Sequence, residues 1–262
     1  MHNYSFIRNP KKFSKKDLLL NIKKILPKYL NGIPDRVALS ILKTIEKTNS
    51  KHNILETGTG ASTIAMFLGV ILKKKKLFTF DTNQEKLDTI KQIMNSIICE
   101  PLHIDINDYW VPILSNSTNP YIGIKSLKSI KKKFDFCFLD SEHTLINLND
   151  ELDLFFDLTP DKFYIGIDDG HMRYKRVNID YVNLIRSRAK LKKISISDNI
   201  CQNFSTEVFN KLKKKFKKVK IVETIKKYNS KKDLYYEYYQ NIIYKPGERK
   251  IHHSTFYEVI KG

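Results

Sequence analysis

The sequence predicts an α/β fold in which helices cover both faces of a mostly parallel β-sheet. From residue 53 onward, short apolar segments alternate with segments of helical periodicity, which is the pattern of a parallel sheet. One apolar segment, residues 134–139, is nearly continuous, as expected for a strand that is buried on both faces. The chain of 262 residues is 41% hydrophobic, so it can bury a core, and wholesale disorder is excluded.

The N-terminal part of the chain is predicted to be helical. Ser14 can cap one helix, and Pro34 with Asp35 opens a second helix after a turn. We therefore expect residues 1–50 to form an N-terminal helical cap on a larger domain that spans residues 51–262.

The larger domain is predicted to alternate strands and helices. The predicted strands are residues 53–56, 77–81, 102–104, 134–139, 163–167, 220–223 and 255–260. The predicted helices are residues 62–72, 84–97, 145–156, 179–189 and 206–218. Residues 106–133 are predicted to be a loop insertion, either a wall for the substrate or a surface extension. Residues 228–250, rich in Tyr, Lys and Asn, are predicted to be an excursion from the domain.

The charge of the chain first suggests nucleic-acid binding. The 47 Lys and Arg residues exceed the 28 Asp and Glu residues, which gives a net charge of +19, and basic proteins gain affinity for phosphates by counterion release. Lysine greatly outnumbers arginine, however, and the lysines are spread along the whole chain. This distribution favours solvated surfaces and A+T-rich coding, while RNA binding stays open as an alternative.

Cysteine content and hydropathy give expectations about location. The three cysteines are scattered and form neither a disulfide framework nor the spacing of a zinc site. No apolar run approaches the roughly 20 residues that span a bilayer, and the first ten residues lack the apolar stretch of a secretory signal. We expect a soluble, cytoplasmic protein.

A glycine-containing turn follows the first predicted strand. Glu56 ends this strand, and Gly58 and Gly60 allow a ligand to approach the backbone closely. A dinucleotide-binding turn needs a third glycine, but Thr63 occupies that position, and no Gly-Lys-Ser/Thr sequence of a Walker loop follows. Because the carboxylate of Glu56 would repel a pyrophosphate, the turn suits a cationic ligand.

This acidic-x-Gly-x-Gly turn resembles the first motif of the class I S-adenosylmethionine-dependent methyltransferases. The resemblance implies a Rossmann-like, seven-stranded sheet whose last strand is antiparallel, with S-adenosylmethionine as the cofactor. In the family the acidic residue holds the methionine part of the cofactor and the glycines admit it. The residues that correspond to this part of the family site are Glu56, Gly58, Gly60 and the neighbouring Ser62.

Two further acidic residues match later markers of the same family. Asp81 ends the second predicted strand, and a carboxylate there can accept both hydrogen bonds of the ribose hydroxyls. Asp105 follows the predicted strand at residues 102–104, where the family places an acidic residue near the adenine, although Asp108 could compete for this role.

The residues after the fourth and fifth predicted strands indicate the branch of the family. Asp140 and His143 follow the fourth strand, and Asp168 and Asp169 follow the fifth. This set resembles the metal-dependent O-methyltransferases, above all the macrocin type that methylates sugar hydroxyls. The resemblance implies that Asp140, Asp168 and Asp169 bind Mg²⁺ and that Asp140 and His143 act in catalysis, His143 as the general base.

Other readings of the same residues stay open. Asp140 could instead cap the helix that follows it, and Glu142 and His171 are secondary candidates for the site. An Asn/Asp-Pro-Pro-Tyr motif of nucleic-acid amino-methyltransferases does not follow the fourth strand. The expected acceptor is a small molecule or glycan, possibly anionic. RNA methylation, a non-catalytic binding module and a homo-oligomer remain alternatives.

Overall fold

The computed structural model describes residues 5–225 and 254–262 and contains one seven-stranded sheet. The strands lie in the order β3-β2-β1-β4-β5-β7-β6. The strands β1 to β5 are parallel, and β7 runs antiparallel to both of its neighbours. Their bounds are β1 Asn53–Thr57, β2 Leu77–Asp81, β3 Trp110–Leu114, β4 Phe134–Leu139, β5 Lys162–Ile167, β6 Lys218–Ile225 and β7 Ser254–Ile260. The predicted fold class is confirmed.

Helices lie on both faces of the sheet and close two hydrophobic cores. The helices of the described residues are α1 Ser5–Arg8, α2 Lys15–Ile25, α3 Asp35–Glu46, α4 Ala61–Lys73, α5 Gln84–Met94, α6 Glu100–Leu102, α7 Leu145–Phe156, α8 Ile179–Arg188 and α9 Phe204–Lys215. Neighbouring residues of one strand enter different cores: Ile54 packs with the helices α1 to α5, and Leu55 packs with α7 and α9.

The N-terminal helices belong to the first of these cores. They pack on α4, where a methyl group at Gly69 would stand 2.9 Å from Ile45 Cγ2. The chain between α2 and α3 is fixed by the buried side chain of Lys23, whose Nζ donates to Ile33 O at 2.6 Å and to the side chain of Asn31. This bonding holds the segment before α3 against the rest of the molecule.

The third strand is the main error of the sequence prediction. Residues 100–102 are helical, and His103 adopts φ +57°, so the strand predicted at residues 102–104 is wrong. The strand β3 lies within the predicted insertion, which also contains a 3₁₀ segment at Ile124–Ser129. The strand escaped prediction because Pro112 interrupts it; proline is tolerated there because β3 is at the edge of the sheet.

The other predicted elements are present with small shifts at their ends. The helix predicted at residues 84–97 ends its α-helical part at Met94 and continues as a π-helical turn, Asn95–Cys99. The excursion predicted at residues 228–250 lies outside the described residues. Within residues 5–225 and 254–262, no helix is both long enough and apolar enough to span a membrane.

Candidate active site

A cleft lies at the carboxyl edge of the sheet, where ligands bind in open α/β folds. It holds about 690 Å³ of empty space, part of it open solvent. The turn after β1, the loops after β4 and β5 and the segment before α3 form its walls. The lining residues are Tyr29, Leu30, Gly32, Ile33, Gly58, Thr59, Gly60, Ala61, Ser62, Lys86, Asp140, Ser141, His143, Asp168 and Asp169.

The glycines of the first turn are required by the close approach of the protein's own backbone. Gly58 has φ +84°, and a Cβ there would stand 2.1 Å from the carbonyl oxygen of Asp140. A Cβ at Gly60 would stand 2.8 Å from the carbonyl oxygen of Leu30. The turn therefore touches both the β4 loop and the N-terminal segment, which brings the walls of the cleft together.

Glu56 is fully buried beneath this turn. Its Oε2 accepts a hydrogen bond from Thr79 Oγ1 at 2.9 Å, whereas Oε1 has no hydrogen-bond partner among the described residues. Burial raises the pKa of Glu56 to about 8, although the hydroxyls of Ser62, Thr63 and Thr79 oppose this rise. A buried, incompletely bonded acceptor of this kind fits a cationic ligand.

Asp81 connects the end of β2 to the glycine turn. Its Oδ2 accepts from the backbone N–H of Thr59 at 2.7 Å, and its Oδ1 accepts from that of Asn83 at 2.8 Å. Each carboxylate oxygen can accept more than one hydrogen bond. Asp81 can therefore fix the turn and still bind a pair of hydroxyl groups.

Asp105 is not part of the cleft. It precedes β3, so it lies toward the amino edge of the sheet, and its Oδ1 accepts from the backbone N–H of Asn107 at 2.9 Å. The expectation that Asp105 follows the third strand is wrong, because that strand is Trp110–Leu114. The residue that follows β3 is Ser115, whose N–H donates to the carbonyl of Asp81 at 2.9 Å.

Three side chains from the loops after β4 and β5 form a compact group. One potential ligand atom each of Asp140, His143 and Asp169 lies within 4.8 Å of the others. His143 Nδ1 is 3.0 Å from Asp169 Oδ2, and His171 Nδ1 is 3.8 Å from Asp169 Oδ1. Asp169 has φ +48°, a left-handed conformation that turns its side chain toward this group.

Asp168 lies outside this group of three, although it lines the cleft. Its Oδ1 accepts a short hydrogen bond from the hydroxyl of Ser254, the first residue of β7. Asp140 does not cap the following helix, because Thr144 does: its hydroxyl accepts from the N–H of Asn147. The cap of α7 therefore leaves the Asp140 side chain to the cleft.

The charge around His143 favours its protonated form. Burial lowers its pKa, but the carboxylates of Asp169, Asp140 and Asp168 outweigh this effect and raise the pKa to about 10. The side chain is nevertheless 42% exposed, so it can be reached from the cleft. Positive charge placed on these carboxylates would lower this pKa again.

Several cleft residues carried no recognisable signal in the sequence. Tyr29, Leu30 and Ile33 come from the segment before α3, which has no motif, and Lys86 projects from α5. Tyr29 Oη lies 3.3 Å from Thr89 Oγ1 and joins this segment to α5. The buried Lys23 anchor and the packing of Leu30 and Ile33 in the first core fix this segment, and neither has a local signal in the sequence.

No protein-family model matches the sequence, and a search of curated proteins gives no match. The fold, in contrast, is similar to solved structures. An O-methyltransferase from Bacillus cereus in complex with SAH is 16% identical; the match covers 95% of this chain and 91% of that one, with a TM-score of 0.55. The O-methyltransferase TomG of Streptomyces achromogenes, involved in tomaymycin synthesis and solved with SAM, is 10% identical, with the same coverage and TM-score. The chain thus has the Rossmann-like class I methyltransferase fold.

Proposed function

We propose that the protein is an S-adenosylmethionine-dependent O-methyltransferase that uses a divalent cation, Mg²⁺ in the first instance, to methylate a hydroxyl group. The observation that carries the proposal is the group of Asp140, His143 and Asp169 on the same cleft as the glycine turn above Glu56. Two structures similar in fold, the Bacillus cereus enzyme and TomG, are O-methyltransferases in complex with SAH and SAM, which supports this function.

The first half of the cleft fits the cofactor. Glu56 offers a buried acceptor oxygen without a partner among the described residues, and Asp81 has remaining acceptor capacity at the end of β2. Gly58, Gly60 and Ser62 would hold the methionine part of the cofactor against the turn. S-adenosylmethionine supplies the methyl group as part of a sulfonium, so the protein needs only to position the acceptor oxygen in line with it.

The second half of the cleft fits a hard cation. Asp140 and Asp169 would provide carboxylate oxygens, which Mg²⁺ prefers, and Asp168 would complete the set if its bond to Ser254 is exchanged. A bound cation polarises the acceptor hydroxyl and lowers its pKa. Because only two or three protein ligands are present in this group, coordination positions remain for the substrate.

A cation bound to the neighbouring carboxylates would lower the raised pKa of His143, and the neutral ring would then remove the proton of the acceptor hydroxyl. Since Nδ1 faces Asp169 at 3.0 Å, Nε2 is the nitrogen through which the ring would take the proton. Asp169 fixes the orientation of the ring in this reading. His143 can also serve as a metal ligand, since its ring nitrogen lies within the same group of potential ligand atoms; cation binding by a His143 variant separates the two roles.

The acceptor we propose is a sugar hydroxyl or a small metabolite of anionic character. Residues 171–200, which we call the arm, begin two residues after Asp169 and contain eight Lys and Arg but only two Asp and no Glu. The carbonyls of Tyr174 and Lys175 accept from the N–H groups of Leu145 and Ile146 at 2.8 and 3.0 Å. The arm therefore starts beside the His143 loop, where its cations would attract an anionic acceptor.

The same arm favours RNA methylation as a second candidate, because clustered cations bind phosphates. RNA affinity that falls steeply with salt, together with methyl transfer to RNA, would support this candidate. A non-catalytic binding module is the third reading, and detectable cofactor turnover would exclude it.

We also propose a cytoplasmic location, since all three cysteines are free and two of them are buried as thiols.

Isothermal titration with S-adenosylmethionine, in the presence and absence of Mg²⁺, tests the proposal. We expect binding of the cofactor by the wild-type protein and a loss of cation binding in Asp169→Asn. Turnover is then measured on a panel of hydroxyl acceptors with and without chelator. Absence of cofactor binding would contradict the methyltransferase function, and activity unaffected by chelator would contradict the role of the cation alone.

A further inference from the structure

Glu151 is a buried carboxylate on α7 that the proposed reaction does not use. Only 1% of the residue is exposed. Its Oε1 accepts hydrogen bonds from two hydroxyls, a short one from Ser117 and one of 2.6 Å from Ser141. Asn147, one turn earlier on the helix, donates from Nδ2 to Ser141 Oγ at 2.9 Å. Because Ser141 Oγ accepts from Asn147, its own hydrogen points toward Glu151.

The two serines belong to different loops, and Ser141 lines the cleft. Ser141 follows Asp140 directly and stands two residues before His143. Ser117 lies in the loop after β3, and its carbonyl accepts from the N–H of Ile124 at 2.8 Å. That loop begins at Ser115, which is bonded to the backbone of Asp81. A single carboxylate oxygen thus joins the loop of Asp140 and His143 to the loop after β3, which is bonded to the backbone of Asp81.

The chemistry of the contact requires an acceptor but not a negative charge. Burial raises the pKa of Glu151, and the hydroxyls of Ser117 and Ser141 oppose this rise. An amide oxygen can accept the same two hydroxyl hydrogens. A leucine of similar size at this position would leave two buried hydroxyls without their acceptor. An unsatisfied buried donor lowers the free energy of unfolding more than the loss of a hydrogen bond at the surface does.

We propose that Glu151 is a positioning residue that holds the loop after β3 and the loop after β4 in one fixed arrangement. Its effect on catalysis rests on the proposed function, because it acts through Asp140 and His143. Its effect on the loops does not, because Glu151, Ser117 and Ser141 form these hydrogen bonds among themselves.

Hydrogen exchange of the full-length protein tests the effect on the loops without any ligand. In Glu151→Leu we expect exchange at residues 115–119 and 140–144 to rise together, by about tenfold or more. Glu151→Gln should restore most of the protection, and Asp150→Leu, a change at the exposed neighbouring position, should not alter it. Unchanged exchange of both loops in a folded Glu151→Leu protein would overturn the proposal, as would a rise in only one loop.

Binding and kinetics test the consequence for the reaction. Ser141→Ala should weaken cation binding more than cofactor binding, and Ser117→Ala should do the reverse. Glu151→Leu should affect both and lower kcat by about tenfold to a hundredfold, a typical effect of small misplacement, with rescue by Glu151→Gln. Equal effects of all variants on stability alone would assign Glu151 a merely structural role. If the wild type binds no cofactor, the proposed function fails, while the exchange result still decides the role of Glu151.

Discussion

The turn after β1 and the arm differ in how much of their structure is buried. The turn from Thr59 to Thr63 is entirely buried, and it is bonded to the end of β2. The arm of 30 residues has only Ile179 and Asn199 buried. The turn is shaped by packing within the protein, whereas the arm presents charged and apolar side chains to the solvent.

This difference separates two kinds of recognition. A buried turn with fixed backbone contacts can bind one cofactor with little reorganisation, which is the preorganisation that binding favours. An exposed, basic arm can attract a range of anionic molecules without specifying one. We therefore expect substitutions in the turn to affect stability and cofactor binding together, and substitutions in the arm to affect only binding of the acceptor.

The largest effect is expected from Gly58→Ala. A methyl group there would collide with the carbonyl of Asp140 at 2.1 Å, and φ +84° is unfavourable for alanine. We expect the free energy of unfolding to fall by about 3 kcal/mol or more and cofactor binding to be lost, as measured by urea denaturation and titration calorimetry.

Gly32→Ala is the matched control, since Gly32 also lines the cleft but a methyl group there has no atom within 4 Å. We expect this variant to stay within about 1 kcal/mol of the wild type. A Gly58→Ala protein as stable as the control would show that the turn is not constrained by the β4 loop.

The second prediction concerns the pH dependence that buried Glu56 confers. The unfolded chain ionises this carboxyl near its ordinary pKa of 4.5, whereas in the folded protein burial raises its pKa to about 8. The stabilisation due to this difference is fully present below pH 4.5 and is lost as the pH rises to about 8. Relative to Glu56→Gln, the wild-type free energy of unfolding should fall by on the order of 3–5 kcal/mol across this range. Parallel stability curves of the two proteins between pH 5 and pH 8 would contradict the prediction.

The same contrast explains how much of the molecule could be predicted from the sequence. The central strands were predictable because burial on both faces demands continuous apolar residues, as in Phe134–Leu139. The edge strand β3 was not, because only its first residue, Trp110, is buried and because it contains Pro112. The misplaced strand in turn misplaced Asp105. An edge strand with few buried residues was therefore misplaced, and the position predicted for a functional residue was wrong as a result.

At the site itself, the sequence predicted which residues line the cleft better than it predicted what they contact. Asp140, His143, Asp168 and Asp169 all line the cleft, as expected of residues at the carboxyl ends of neighbouring strands. The different positions of the two adjacent aspartates depend on the left-handed φ of Asp169 and on Ser254, 86 residues away from Asp168. Neither feature has a local signal in the sequence, and the same is true of the wall contributed by Leu30.

The third prediction separates the two roles of His143. Asp169→Asn should lower the affinity for Mn²⁺, used as a probe for the divalent cation, by about tenfold or more; asparagine tolerates the left-handed backbone at this position. His143→Ala should retain cation affinity if the ring acts as the base and lose it if the ring is a ligand. Glu142→Gln is the exposed control in the same loop. If the Mn²⁺ affinity were unchanged in Asp169→Asn, the group of Asp140, His143 and Asp169 would not be the cation site.

The smallest effect is expected in the arm. Its exposed residues Lys192 and Lys193 carry two of the eight positive charges of the arm, so the double change of both to Glu should weaken binding of inorganic pyrophosphate, a simple anionic probe, by a few-fold. The effect should shrink as salt rises from low to physiological concentration, because exposed charges are screened. Lys131 and Lys132, an equally exposed pair before β4, form the control when both are changed to Glu. Equal losses in the two double variants would mean that the probe responds to the net charge of +19 and not to the arm; a loss confined to the arm would make it the surface that receives the acceptor.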